Sequence, residues 1–262
     1  MTIVSFEKTR IDGRPGRKLR HLGGQAIHRF DLIADGDRIA IGVSGGKDSL
    51  LLSAYLAEVK KIAPVSFELG AIHLGSDDQG ILTDWLGGLG LDFVHIEAAP
   101  QVPEIGLWRP GGPSPCFACS RARRNRLFSI CRDLDANRLA LGHHLDDAIE
   151  TLLMNMLHSG RLEGLRARQD LFEGRLSIIR PLFLVPESLV VRLAEDWALP
   201  VAPKNCPADG HTVRQEIKEM VAEQALRHPK IYGNLTAVVS SPALAKEKAL
   251  NTAKFNKILL KY

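Results

Sequence analysis

The fold is decided by residues 38–49, which read Arg38-Ile39-Ala40-Ile41-Gly42-Val43-Ser44-Gly45-Gly46-Lys47-Asp48-Ser49. The first half is largely apolar and a leucine-rich segment follows the second half, so a strand and then a helix are predicted. Paired glycines between a strand and a helix let backbone N–H groups converge on an anion, and the helix N-terminus adds positive potential. Lys47 adds a mobile positive charge. We therefore predict a phosphate-binding turn over residues 44–49.

The spacing of this turn differs from that of the common nucleotide-binding loop, G-x-x-x-x-G-K-[ST]. Gly42 and Gly46 are one residue too close together, and Asp48 stands where a magnesium-binding hydroxyl is required. The turn instead resembles the PP-loop of ATP pyrophosphatases, which holds the pyrophosphate of ATP while the α-phosphate is attacked. An ordinary strand–turn–helix junction is the weaker interpretation, because a β-type run precedes the turn and a long apolar helix follows it.

The composition is typical of a globular α/β protein. The chain has 262 residues, of which 45% are hydrophobic, enough to fill a normal core. No apolar run approaches the ~20 residues of a membrane span. Charged residues interrupt the first dozen positions, so no secretory signal is expected there. These features predict a cytoplasmic protein that does not bind a membrane.

Strands alternate with helices along most of the chain. Strands are predicted near 38–43, 67–74, 92–97, 138–141 and 177–179. Helices are predicted near 22–33, 48–61, 79–88, 117–134, 146–158, 187–197, 213–226 and 230–239. This order predicts an α/β fold with a doubly wound, Rossmann-like parallel sheet and a helical C-terminal part. We divide the chain into a basic lead-in with a helix (1–36), an ATP-binding catalytic domain (37–205) and a helical segment (206–262).

One segment interrupts this alternation. Residues 159–175 contain three glycines among several arginines and are predicted to be a mobile loop. Its arginines Arg161, Arg166 and Arg168 are candidates for closing over a substrate.

Acidic residues follow the fourth predicted strand, in the segment Gly142-His143-His144-Leu145-Asp146-Asp147. Ligands of doubly wound sheets bind beyond the carboxyl ends of the strands, where this segment and the turn at 44–49 both lie. The two carboxylates either cap a helix or bind Mg²⁺ on ATP phosphates, and we favour the second role for Asp147. His143 and His144 are equally compatible with donors to a nucleotide and with packed loop residues.

The four cysteines are Cys116, Cys119, Cys131 and Cys206. A disulfide framework is not expected in a cytoplasmic chain of this size. The pair Cys116-x-x-Cys119 at a predicted helix start is compatible with a redox disulfide, a zinc site or an iron–sulfur cluster. Cys206 is a plausible third thiolate. Cys131, in an apolar helix, is expected to pack as a small hydrophobic residue.

Two clusters of basic residues flank the predicted nucleotide site. The formal net charge of +4 is by itself weak evidence for a polyanionic partner. The distribution is more informative, because one cluster precedes the first strand and the other lies in the helix after the CxxC pair. The clusters include Arg17, Lys18, Arg20, Arg121, Arg124 and Arg126. They predict contacts with a nucleic acid backbone.

Several motifs together resemble one family. They are residues 44–49, the Cys116–Cys119 pair with its following arginines, Gly142–Asp147, Ile179–Leu182, and Cys206 upstream of Arg214-Gln215. In this order they resemble the tRNA 2-thiocytidine synthetases (TtcA-type) of the PP-loop ATP pyrophosphatase superfamily, over most of residues 17–240. The resemblance implies an ATP- and Mg²⁺-dependent tRNA sulfurtransferase. Such an enzyme adenylates the C2 oxygen of an anticodon-loop cytidine, at position 32, and replaces it with sulfur, releasing AMP and pyrophosphate.

The resemblance also implies roles for residues. Cys116, Cys119 and Cys206 would ligate a [4Fe–4S] cluster. ATP contacts are implied for Ser44, Gly45, Gly46, Lys47, Asp48, Ser49, His73, Arg123, Gly142 and Asp147, of which Lys47, Asp48 and Asp147 would be catalytic. The implied partners are tRNA, ATP and a sulfur donor, either a cysteine desulfurase or free sulfide, and a homodimer is compatible with them.

Three other functions stay open. A tRNA 2-thiouridine synthetase shares the core, although such enzymes usually carry paired-CxxC zinc fingers that four cysteines cannot supply. A lysidine-type ligase would leave the three cysteines without a function. An iron–sulfur regulator that binds RNA without modifying it would not need Asp48 and Asp147. Asp77, Asp78, residues 108–110 and the tail after 241 do not match the family, which leaves the target base open.

Overall fold

The described residues form a six-stranded sheet. The computed structural model describes residues 13–75, 80–98, 115–202, 213–241 and 244, without the side chains of 115–118. The strands are β1 Arg38–Val43, β2 Glu68–Leu74, β3 Phe93–Glu97, β4 Arg138–Ala140, β5 Arg168–Leu171 and β6 Leu176–Ile179. Their order is β3-β2-β1-β4-β6-β5, with all neighbours parallel except β5 and β6. The predicted doubly wound α/β sheet is therefore confirmed.

Helices cover the sheet, with bounds close to those predicted. They are α1 Arg14–Arg29, α2 Lys47–Ile62, α3 Ile81–Gly87, α4 Pro115–Asp133, α5 Leu145–Ser159, α6 Glu187–Asp196, α7 Val213–Arg227 and α8 Lys230–Val239. Helix α2 packs against α6, while α7 and α8 both pack against α5. Within the described ranges, no helix is long and apolar enough to cross a membrane.

The prediction of a mobile loop over 159–175 is wrong in its second half. Arg168–Leu171 pairs antiparallel with Leu176–Ile179, and a short 3-10 turn with Glu173 and Gly174 at positive φ joins the two strands. The sequence Arg-Gln-Asp-Leu does not alternate apolar and polar residues, so the sequence pattern does not predict a strand here. The strand forms through its pairing with β6 at the edge of the sheet. Arg168 binds the carboxylate of Asp170 and the carbonyl of Asp31 instead of reaching toward a substrate.

Helix α1 begins earlier than predicted and contacts α2. Pro15 in its first turn has a backbone angle preset for a helix. Further along, Gly23 faces the Tyr55 ring, and Ile27 and Val59 line the same groove. Helix α1 therefore packs closely on α2 at Gly23.

The neighbouring glycines of α1 allow a matched test of this packing. A Cβ atom at Gly23 would lie 2.4 Å from the buried Tyr55 hydroxyl, whereas one at Gly24 would meet nothing within 4 Å. We expect Gly23→Ala to lower the free energy of unfolding by about 1–3 kcal/mol. Gly24→Ala should raise it by about 0.5–1 kcal/mol, since alanine is the better helix former. Urea unfolding of both variants checks this, and equal effects would contradict the packing.

Candidate functional site

A cavity of about 290 Å³ opens at the carboxyl ends of β1 and β4. The sheet order reverses at this point, because β1 leads to β2 on one side and β4 lies on the other. Such switch points are where doubly wound sheets bind ligands. Six residues predicted to contact ATP line the cavity: Ser44, Asp48, Ser49, Arg123, Gly142 and Asp147. The sequence motifs therefore converge on one site.

Hydroxyl groups hold the turn after β1 in shape. The Ser49 hydroxyl donates to the Gly46 carbonyl at 2.9 Å and accepts from the Ser44 N–H at 3.1 Å. The Gly46 N–H donates to the Ser44 hydroxyl at 3.3 Å. Gly45 has φ of +80°, a conformation that favours glycine. The turn is thus pre-shaped at the N-terminus of α2, as an anion site requires.

Gly142 allows the end of β4 to touch the start of α2. A Cβ atom at this position would lie 2.9 Å from the Asp48 carbonyl carbon and oxygen and 3.0 Å from the Ser49 nitrogen. Any larger residue would push these two backbones apart. The glycine therefore sets the distance between the turn at 44–49 and the acidic segment that follows β4.

Lys47 is held by two carboxylates. Its Nζ lies 3.0 Å from Asp48 Oδ1 and 3.4 Å from Glu187 Oε1, at the start of α6. Partial burial disfavours the ammonium charge, but Asp48 and Glu187 outweigh it and raise the pKa of Lys47. Glu187 also pairs with Lys218 of α7 at 2.6 Å. Lys47 is thus charged and positioned beside the turn by residues from three helices.

The two aspartates of the acidic segment have different roles. Asp146 accepts from the Glu187 N–H at 2.6 Å and from the Tyr232 hydroxyl at 3.0 Å, so it joins α5 to α6 and α8. Asp147 lines the cavity, accepts from the His144 N–H at 2.9 Å and pairs with Arg214 at 2.6 Å. Burial raises the pKa of Asp147, but His144, His143, the backbone N–H of His144 and Arg214 together outweigh it and hold that pKa low. Asp147 is the cavity carboxylate.

The carboxylates of Asp48 and Asp147 face the same small volume. His144 Nε2 lies 3.8 Å from Asp48 Oδ1 and 3.5 Å from Asp147 Oδ2. Asp48 Oδ1 is buried and lies 3.0 Å from Lys47 Nζ, without a hydrogen bond of normal geometry from a described residue. Two carboxylates that face one small volume fit Mg²⁺, which binds few carboxylates and takes waters and phosphate oxygens besides.

Arg123 and His73 were both predicted to contact ATP, but only Arg123 lines the cavity. Arg123 lines the cavity and donates to the Leu74 carbonyl at 2.6 Å. His73 is buried outside the lining, and its Nδ1 lies 2.9 Å from the Val43 carbonyl. His73 therefore fixes the end of β1 where it enters the turn.

The position of Cys119 fits a cluster next to this cavity. Cys119 is a half-buried free thiol on α4. Arg123 and Leu127 follow at intervals of four on the same helix and line the cavity, so Cys119 continues that face. Cys116 lies on the same helix, three residues before Cys119, although its side chain is outside the described part. Thiolates are the usual ligands of iron–sulfur clusters.

Cys206 lies outside the described residues, but both ends of its segment are fixed at the site. The Ala202 N–H donates to the Gly45 carbonyl at 3.0 Å, and Arg214 pairs with Asp147. The described chain on both sides of this segment therefore lies at the site, and thiolates are the donor type that an iron–sulfur cluster takes.

The basic residues predicted to contact nucleic acid differ in exposure. Arg126 is partly buried and forms a two-point ion pair with Glu97, which lowers the pKa of that carboxyl to about 2. The other five are exposed: Arg17, Lys18, Arg20, Arg121 and Arg124.

Some site residues had no clear signal in the sequence. Glu187 contacts Lys47 yet reads as an ordinary surface charge, and its only cue is that it opens a helix after Pro186. Arg180 and Arg214 stand in motifs of the family resemblance, but no role at the site followed from those motifs.

Comparisons with known proteins agree with this site. The family described as PP-loop domain matches residues 118–224. A tRNA-cytidine(32) 2-sulfurtransferase of Pelobacter propionicus is 38% identical over 231 residues, covering 86% of each chain. One from Polynucleobacter asymbioticus is 37% identical over 237 residues, covering 88% of this chain and 77% of that protein. The U34-tRNA thiolase NcsA from Methanococcus maripaludis, solved with its [4Fe-4S] cluster, shares the fold, with a TM-score of 0.65 at 23% identity over 94% of this chain and 87% of that one.

The buried Glu150 beside Asp147 should make stability depend on pH. Burial raises the pKa of Glu150 to about 7, although Arg214 acts in the opposite direction. Between its ordinary pKa and about 7, the folded protein keeps a proton that the unfolded chain has lost, so stability falls as the pH rises through this range. We expect Glu150→Gln to match the wild type at about pH 5 and to be ~1–3 kcal/mol more stable at about pH 8. Urea unfolding at both pH values measures this.

Glu195→Gln serves as the control for this measurement, because Glu195 is exposed on the solvent face of α6. Its variant should follow the wild type at both pH values. Parallel pH curves for Glu150→Gln and the wild type would show that Glu150 is not protonated in the folded protein.

Proposed function

The chain belongs to the family of tRNA-cytidine(32) 2-sulfurtransferases, and we propose that it replaces the C2 oxygen of the cytidine at position 32 of tRNA by sulfur in an ATP-dependent reaction. One observation carries the proposal: the PP-loop, Asp147 and the helix of Cys119 converge on a single cavity at the sheet edge. A nucleotide site alone is compatible with many reactions. A helix that carries a cysteine beside this site favours sulfur transfer among them.

The first step activates a poor leaving group. The cytidine C2 oxygen attacks the α-phosphorus of ATP, and the bond from that phosphorus to pyrophosphate breaks. The backbone N–H groups at the start of α2 and the ammonium of Lys47 would stabilise the charge of the departing pyrophosphate. Asp48 and Asp147 would hold Mg²⁺, which neutralises phosphate charge when bound. Glu187 keeps Lys47 next to this position.

The second step exchanges oxygen for sulfur. Cys116, Cys119 and Cys206 would hold a [4Fe–4S] cluster, which would present the incoming sulfur. Sulfur at the oxidation level of sulfide attacks C2, a carbon–sulfur bond forms, and the carbon–oxygen bond to AMP breaks. The tRNA base must leave its loop to reach the cavity, as in other base-modifying enzymes.

We assign the remaining partners from chemistry and position. Exposed Arg121 and Arg124 follow Cys119 on α4, and exposed Arg17, Lys18 and Arg20 lie in the first half of α1. These residues would contact the tRNA backbone. We infer that the sulfur donor is a cysteine desulfurase or free sulfide and that the reaction occurs in the cytoplasm; a homodimer is compatible with these partners. The division into 1–36, 37–205 and 206–262 remains our proposal for the domains.

The central test is direct. Anaerobically reconstituted protein, bulk tRNA, ATP, Mg²⁺ and sulfide should yield 2-thiocytidine, detected by mass after nucleoside digestion, with AMP and pyrophosphate as co-products. Finding 2-thiouridine instead would change the target base, and finding ADP and phosphate would refute the activation step. Absence of any thiolation would favour a regulator.

Lys47→Ala should reduce kcat/KM for ATP by about tenfold or more, because a positive charge next to the leaving pyrophosphate is lost. The colour of the cluster should be unchanged. Lys61→Ala is the matched control, since Lys61 lies on the same helix and pairs with Glu58 at the surface. A Lys47→Ala enzyme with wild-type kinetics would remove Lys47 from the catalytic assignment.

Single Cys→Ser variants at 116, 119 and 206 should each lose the brown absorbance and the iron of the reconstituted protein. Cys131→Ala is the control, because Cys131 is fully buried in the core and burial raises its thiol pKa to about 12. It should keep full iron content. A complete cluster in Cys206→Ser would disprove the third ligand.

A further inference from the structure

A histidine and an arginine at the end of the cavity have no role in the reaction as described so far. We propose that His143 is a catalytic residue that donates its Nε2–H to a non-bridging oxygen on the α-phosphorus, and that Arg180 is the positioning residue that fixes this tautomer. The proposal deepens the proposed function, on which it rests.

The geometry separates the two adjacent histidines. His143 lines the cavity and is only half-buried, so one side of its ring is open to a ligand. His144 is buried and lies within 4 Å of three carboxylates, Asp48, Asp146 and Asp147. His144 therefore belongs to the acidic wall, and His143 is the one that can meet a substrate.

Arg180 determines which nitrogen of His143 carries the proton. Its Nε lies 3.4 Å from His143 Nδ1, and its Nη1 donates to the Arg166 carbonyl at 2.6 Å. Because a guanidinium only donates, Nδ1 must be the unprotonated nitrogen. The distance is long for a hydrogen bond, yet the other tautomer would place two N–H groups against each other. The ring proton is thus on Nε2.

The charges around the pair keep the imidazole neutral. The groups that act on it are Arg180 after β6, Asp147 and His144 on α5, and Arg214 on α7, with Arg124 of α4 acting on Arg180. Burial, together with the charge of Arg180, lowers the pKa of His143 to about 4. His143 is therefore a neutral N–H donor at neutral pH and does not act as an acid or base there.

Arg180 is itself unusual. It is 5% exposed and forms no ion pair with a described carboxylate, and burial lowers its pKa to about 10. A buried cation without an ion pair among the described residues favours an anion in the adjoining cavity, although the more distant Asp147 offsets part of its charge. The pair therefore directs both a positive field and a neutral donor toward the same ligand.

The α-phosphate is the group this donor would meet. The pyrophosphate is held by residues 44–49, so the α-phosphate extends beyond that turn, toward the wall formed by the end of β4. His143 stands in that wall, directly after Gly142, which touches the start of α2. Charge on the α-phosphate oxygens changes during attack, so a preplaced donor there stabilises the transition state more than the ground state.

The test combines kinetics with a spectroscopic measurement. Pyrophosphate release with tRNA is compared for the wild type, His143→Ala and His143→Gln. We expect His143→Ala to lower kcat by about 10²–10³-fold while KM for ATP changes less than about threefold. Glutamine offers an N–H near the Nε2 position, so His143→Gln should recover at least about tenfold of the loss. Urea unfolding of each variant separates misfolding from lost chemistry.

The tautomer is read from ¹⁵N–¹H correlation spectra of histidine-labelled protein, with His143→Gln assigning the signal. The wild type should show an Nε2–H ring, and Arg180→Met should shift His143 toward the Nδ1–H form, with Arg180→Lys retaining the wild-type pattern. An Nδ1–H ring in the wild type, or unchanged kcat in His143→Ala, overturns the inference. If the wild type releases no pyrophosphate with any tRNA, the proposed function is refuted instead. The tautomer of His143 is measured independently of that result.

Discussion

The close contact between Gly142 and the backbone of Asp48 is the constraint on which the site depends. It brings the end of β4 against the first turn of α2, so that the PP-loop and the acidic segment form one wall. The absence of a side chain permits this approach, and the sheet register keeps it in place, since β1 and β4 are adjacent and parallel. Asp48, Asp147 and His143 face one cavity because these two backbones touch.

Electrostatics then prepare this cavity for a polyanion. Lys47 and Asp147 each lie beside a partner of opposite charge on another helix, Glu187 and Arg214 respectively. Asp147 uses one oxygen for Arg214 and the other for the His144 N–H. The ion pair thus stabilises the site before the nucleotide and its metal ion arrive.

Much of this arrangement could be predicted from the sequence. The strand preceding Ser44, the segment after β4 and the order of helices all follow from apolar periodicity and the turn residues, and the structure confirms them. Strand β5 was missed because Arg168–Leu171 has no apolar alternation and depends on its partner strand. Likewise, the sequence does not distinguish the roles of the adjacent Asp146 and Asp147. Only the packing of α6 and α8 against Asp146 shows which of them is structural.

The segment with Cys206 connects the two halves of the proposed chemistry. It leaves the described structure at Ala202, which is bound to the carbonyl of Gly45, and returns near Arg214, which is paired with Asp147. Both anchors are thus residues of the ATP site. In the proposed reaction, a change at either anchor would therefore disturb the nucleotide site directly, together with the described chain next to Cys206. Shared anchors of this kind would give one PP-loop protein a physical means of coupling ATP cleavage to sulfur transfer.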